Sequence, residues 1–157
     1  MYLPIEQMPD DSRVWVYQAN RKFTVSEIQA IEEYLAPALT QWAAHGAGLN
    51  ASFEIRFQQV IVIAVDETVN AASGCSIDAS TRWFKEMGAS LGIDFFDRST
   101  AVVEEDEVTL LPLTALKNNP LLTPANQVIP LQTESLGTYR AGWLQRADNT
   151  WLKRYFA

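Results

Sequence analysis

Residues 60–65 read VIVIAV, six apolar residues of which five are β-branched, between Gln58-Gln59 and Asp66-Glu67. A run this short, this branched and closed off by polar residues reads as a strand rather than a helix. It has no polar side. It therefore predicts a central strand covered on both faces, and the rest of the chain has to supply two apolar layers for it.

The flanking patterns supply candidates. Ala51 to Phe57 alternates, with Phe53, Ile55 and Phe57 on one side and Ser52, Glu54 and Arg56 on the other. That is a half-buried strand. Only Gln58-Gln59 separates it from VIVIAV, so the two are expected to form a tight antiparallel hairpin. Arg13 to Ala19, RVWVYQA, reads as a first strand. Thr24 and Glu27 have capping-box spacing, and the helix that follows carries Ile28, Ile31, Leu35, Ala38, Leu39 and Trp42 on one stripe. Pro37 predicts a kink or break inside it, and His45-Gly46 is expected to close it. A second helix is expected from Ile77 to Leu91, with Ile77, Ser80, Phe84, Met87 and Leu91 inward and Gly92 as its C′ residue. Ala101 to Glu105 and Val108 to Leu113 predict another hairpin. Pro112, Pro120, Pro124 and Pro130 then punctuate an irregular stretch, with a short strand at Gln127 to Leu131 and a helical turn over Trp151 to Phe156. The order up to residue 113 is β-α-β-β-α-β. It predicts an α+β fold of ferredoxin-like order, with an extra hairpin strand and an irregular C-terminal extension. A three-layer α/β arrangement with VIVIAV at its centre is the rival. The length fits a single domain, 1–157, with residues 113–157 packed on the same body.

Several stretches together resemble a family of small uncharacterised bacterial proteins. They are RVWVYQANRKFT, FEIRF followed by VIVIAVDETVNAASGCSIDAS, and WLKRYF. The resemblance runs over most of the chain and is densest at residues 52–80. Members often carry the label "ABC transporter ATPase". That label implies a nucleotide-binding P-loop, G-x-x-x-x-G-K-[ST], in which amides and a lysine hold phosphates. No Gly-Lys pair exists in this chain, which is also short for such a domain, so the label reads as a mistaken transfer and no ATPase is expected.

Net charge is −7, which opposes nonspecific nucleic-acid binding, and no nucleic-acid partner is expected. No apolar run approaches the roughly 20 residues of a membrane helix. The start, MYLPIEQMPDD, lacks the basic and apolar segments of a signal peptide. A cytoplasmic protein without membrane contact is therefore expected. The charge is uneven: Arg140, Arg146, Lys153 and Arg154 face only Asp148 in residues 139–157, a balance of +3 that leaves −10 on the rest. With Tyr139, Trp143, Trp151, Tyr155 and Phe156, this tail is expected either to dock on its own acidic body or to anchor an unknown protein partner or homodimer.

The chemistry-bearing candidates cluster at residues 66–80. Cys75, the only cysteine, stands near a helix start, where exposed amides stabilise an anion and favour a thiolate. Ser73, Gly74 and Ser76 are candidate anion holders. Asp66, or the only histidine, His45, is the candidate base, and Asp66, Glu67 and Asp78 are candidate carboxylates for a divalent cation. Each has a plainer role: Cys75 as a small core residue, Ser76 or Asp78 as a helix cap. The run Glu104-Glu105-Asp106-Glu107 reads as a solvated hairpin tip without calcium-loop spacing. One Cys and one His make no zinc set. No metal or cofactor is expected. Two functions follow. One is a non-catalytic module that binds a protein partner, or itself, through the tail and a sheet edge. The other is a small enzyme or ligand-binding domain centred on residues 66–80.

Overall fold

In the computed structural model, which describes residues 1–44, 46–68 and 70–156, VIVIAV lies at the middle of a three-stranded sheet. The chain enters through β1 (Arg13–Gln18) and α1 (Val25–Thr40). A two-rung hairpin follows, β2 (Ala43–Ala44) and β3 (Ala47–Gly48), and then β4 (Asn50–Arg56) and β5 (Val60–Asp66). β5 pairs antiparallel with β1 on one side and β4 on the other, giving the order β1-β5-β4. After α2 (Gly74–Leu91) come β6 (Thr100–Glu104), β7 (Glu107–Leu111), β8 (Gln127–Val128), α3 (Leu136–Arg140) and β9 (Gln145–Arg146). These last strands form a second antiparallel sheet of order β7-β6-β8-β9.

Each residue from Val60 to Val65 is 0% exposed, and alternation explains how. Ile61, Ile63 and Val65 enter a core with Ile31, Leu35 and Leu39 of α1 and Phe84 and Met87 of α2. Val60, Val62 and Ala64 enter another with Ala101 and Val103 of β6, Leu136 and Tyr139 of α3, and Trp143. Each buried Val or Ile contributes roughly 1.5–3 kcal/mol, so the run works only because both layers exist. β6 repeats the device, its Val102 turning to a third cluster with Leu111, Leu116 and Leu152.

The fold is α+β. A ferredoxin-like sheet would seat the fourth strand, β6, against β1. Here β6 pairs with β7 and β8 instead. β5 needs cover on its second face, and β6 supplies it from a separate layer. α1 runs unbroken through Pro37, which lies within a turn of its end, and it stops at Thr40 rather than at His45. His45 lies outside the described residues. α2 begins at Gly74, earlier than expected, because Ser73 is the cap: its Oγ accepts the Ser76 N–H at 3.1 Å. Ser76 and Asp78 therefore sit inside the helix. The strand expected to reach Leu131 ends at Val128, two residues before Pro130.

Two local devices orient the helices. Thr24 and Glu27 form the capping box, and Arg21 grips both Glu27 oxygens at 2.9 and 2.8 Å. Arg21 also donates to the Leu91 carbonyl at 3.1 Å, tying the start of α1 to the end of α2. Gly92, at φ 68°, takes the left-handed position that ends α2. The β4–β5 turn uses two left-handed residues that are not glycine, Phe57 (φ 56°) and Gln58 (φ 54°). Phe57 is held by parallel stacking on Trp143 with ring centroids 6.3 Å apart. Gln58 is exposed and has no such compensation.

Two stability measurements follow. Gln58→Gly should raise stability by about 1 kcal/mol, the order of the left-handed penalty, read as a higher thermal midpoint. The Arg21 contact, followed by the Thr24 amide, holds the Glu27 carboxyl down at about 2 from 4.5. A lowered carboxylate pKa stabilises the fold above its unfolded value. The stability gap between wild type and Glu27→Gln should therefore be full above pH 4.5 and close as pH falls towards 2.

Candidate functional site

Residues 66–80 are organised by their own side chains. Asp66 closes β5 and accepts from the Thr68 N–H at 2.9 Å and from the Thr68 hydroxyl. Glu67 accepts the Ala72 N–H at 2.8 Å. Ser73 caps α2 and shares a hydroxyl–hydroxyl bond of 2.8 Å with Ser76. Trp42 donates its indole N–H to the Ser76 carbonyl at 3.0 Å, fixing the helix start against the end of α1.

Cys75 is exposed in the first turn of α2, so it is not the small core residue its chemistry allows. It lines a shallow cleft of about 450 Å³ with Ser73, Ser76, Tyr34, Trp42 and Trp83. Asp66 and Asp78 do not line that cleft, and Asp78 is solvent-exposed on α2. The thiol and the candidate carboxylates thus do not share one cavity. Among the described residues there is no group of three or more His, Cys, Asp or Glu side chains placed to hold a metal ion. At the acidic tip, Glu104 accepts from Asn126 at 3.0 Å and Glu107 pairs with Lys22 at 2.9 Å.

Much of the tail docks on its own body. Tyr139 and Trp143 are buried in the core behind the first sheet. The Arg56 guanidinium lies 5.1, 5.5 and 5.4 Å from the ring centres of Phe57, Tyr139 and Trp143, and it donates to the Tyr139 hydroxyl at 3.0 Å. That hydroxyl donates to Glu54. Burial, then the Glu54 carboxylate, pushes the Tyr139 phenol above its ordinary pKa, so it stays a neutral donor. Arg140 pairs with Asp10 at 2.6 Å and Arg146 with Asp148 at 2.9 Å. Trp151 remains 56% exposed, edge-on to Tyr155.

A second concavity lies elsewhere, a groove of about 910 Å³ along the outer edge of β1. Among the described residues β1 pairs with one strand, β5, and its other edge carries only isolated bridges, Arg13–Ser135 and Gln18–Phe96. Its two ends are nevertheless occupied. Near Arg13, the Val14 N–H donates to the Glu134 carbonyl at 3.0 Å and the Leu136 N–H to the Ser12 carbonyl at 2.9 Å. Near Gln18, the Asp97 N–H donates to the Gln18 carbonyl at 3.1 Å. Even-numbered residues of β1 therefore turn their backbone groups outward. Between the two ends, Val16 turns its N–H and C=O into the groove with no backbone partner on that side among the described residues. Trp15, Tyr17 and the 40%-exposed Phe96 form an aromatic wall. Tyr17 stacks on Phe84 at 3.7 Å and meets Phe96 edge-on at 5.8 Å. Trp15, Trp42 and Trp83 form a chain of indoles, with centroids 6.4 and 5.0 Å apart, leading from the groove to the Cys75 cleft.

No sequence motif marks Val16 or Phe96 as part of a site. The pattern RVWVYQ signals a strand, but nothing in it distinguishes an edge from a centre. The chain matches no protein-family model, no curated protein and no solved structure.

Exposure of Cys75 makes one prediction. The native protein should react with one equivalent of a chromogenic disulfide reagent without denaturant. Cys75→Ser should change unfolding stability by less than about 0.5 kcal/mol, as expected of a surface position.

Proposed function

We propose that this protein is a non-catalytic, cytoplasmic protein-interaction module that seats a short segment of a partner against the open edge of β1. The observation that carries the reading is Val16. A strand edge with outward N–H and C=O groups is a template for another chain, and proteins ordinarily cover or disfavour such edges. Here the flanking segments cover β1 at both ends and stop short of the middle. The seat matches the position a fourth strand would take in a ferredoxin-like sheet, which β6 leaves vacant. The second sheet and the tail share a core with β1 and β5, which supports a single domain in which the groove has fixed walls. The exposed thiol suits a reducing compartment.

A second reading, a small-ligand or anion site at residues 66–80, is favoured by one observation, the exposed Cys75 beside an aromatic cleft at the start of α2. It requires native Cys75 to alkylate faster than a cysteine in an unstructured peptide.

Amide exchange and a peptide screen test the main reading. In the free protein, the Val16 N–H should exchange much faster than those of Trp15 and Tyr17, which face β5. Peptides selected from a random display library should shift the amide signals of Val16 and Phe96 and slow Val16 exchange. Selected peptides that perturb only the tail or the Cys75 cleft, or a library without binders, would overturn the assignment.

A further inference from the structure

We infer that the segment seated at β1 is basic, a short extended stretch of another protein carrying lysine or arginine. The inference rests on the reading of the β1 edge as the binding surface, and three observations carry it.

The first is a surplus of acceptors. Val14 and Val16 aim their carbonyls outward, against the outward N–H of Val16, since the Val14 N–H is held by Glu134 and Gln18 lies in a parallel bridge with Phe96. Gln18 lines the same cavity at 2% exposure, and its buried Oε1 has no donor among the described residues. Its amide orientation is fixed, because Nε2 donates to the Ser99 and Asp97 carbonyls at 2.8 and 3.3 Å. A ligand rich in N–H groups satisfies the two carbonyls, and one rich in oxygen does not.

The second is charge. Asp11, Glu67, Asp97 and Glu134 line the groove against Arg13 and Arg98. None of the six belongs to the four ion pairs found among the described residues. Arg13 instead lies over the Trp15 ring, 4.7 Å from its centre. The carboxylates outnumber the guanidiniums on a chain of net charge −7, so the groove attracts cationic chains and repels acidic ones.

The third is shape. The open stretch spans three residues, about 10 Å of strand, set between residues 95–98 and 131–135. The β1 of a second copy carries the same flanking segments and cannot enter. A thin extended segment can.

The probe is a random decapeptide display library, followed by anisotropy titration of synthetic copies of the selected peptides against the full chain. Selected peptides should be enriched in lysine and arginine. Their affinity should fall about tenfold or more between about 50 and about 500 mM salt. Glu67→Gln with Glu134→Gln should weaken them about tenfold, while Glu105→Gln at the distant β6–β7 turn leaves them unchanged. Thermal unfolding of each variant checks its fold. Neutral or acidic peptides that protect the Val16 amide and ignore salt would overturn the basic occupant and leave the edge reading standing. Peptides that leave Val16 unprotected would overturn both. Concentration-dependent dimerisation that protects Val16 would give the seat to a second copy and overturn the inference.

Discussion

The fold depends on a strand with no polar side. β5 cannot lie at a surface, because all six side chains from Val60 to Val65 are apolar and successive ones point to opposite faces. The helices satisfy one face and the second sheet satisfies the other. Each layer is thus specified by the half of β5 it covers. β6 then inherits the same requirement through Val102, and the C-terminal turns around Leu152 close the last open face. The irregular third of the chain is the outer wall of a stack that begins at VIVIAV.

Arg56 fastens that wall. It stands on β4, at the edge of the first sheet away from β1, and its guanidinium lies near three rings, two of them from residues 139–143. Arginine suits such a place because its planar, weakly hydrated cation stacks on aromatics while still donating to Tyr139. The strained Phe57 belongs to the same cluster. Its left-handed backbone is compensated by the Trp143 stack, so turn geometry and tail docking support one another.

Local signals in the sequence transferred well. The capping box at Thr24, the two hairpins, the left-handed Gly92 and the central position of VIVIAV all rest on interactions within a few residues or on one strand's periodicity. What did not transfer depended on partners far along the chain. The seat beside β1 is empty because β6 is needed behind β5, and no pattern in residues 100–104 records that choice. Ser73 rather than Ser76 or Asp78 caps α2, since three hydroxyl or carboxylate side chains stood within reach of the same helix start. Of the site candidates, Cys75, Ser73 and Ser76 share a cleft while Asp66 and Asp78 stand apart. The edge at Val16 was invisible because an edge is defined by a missing neighbour.

The row of Trp15, Trp42 and Trp83 has an optical consequence. Indole rings at these separations couple electronically, so excitation absorbed by one is shared among all three. One end lies on the β1 groove and the other on the Cys75 cleft. The molecule therefore carries an unlabelled reporter that spans both candidate surfaces. Quenching that enters at Trp15 and quenching that enters at Trp83 draw on the same emission. Near-ultraviolet circular dichroism, which reads the coupling itself, senses a disturbance at either end.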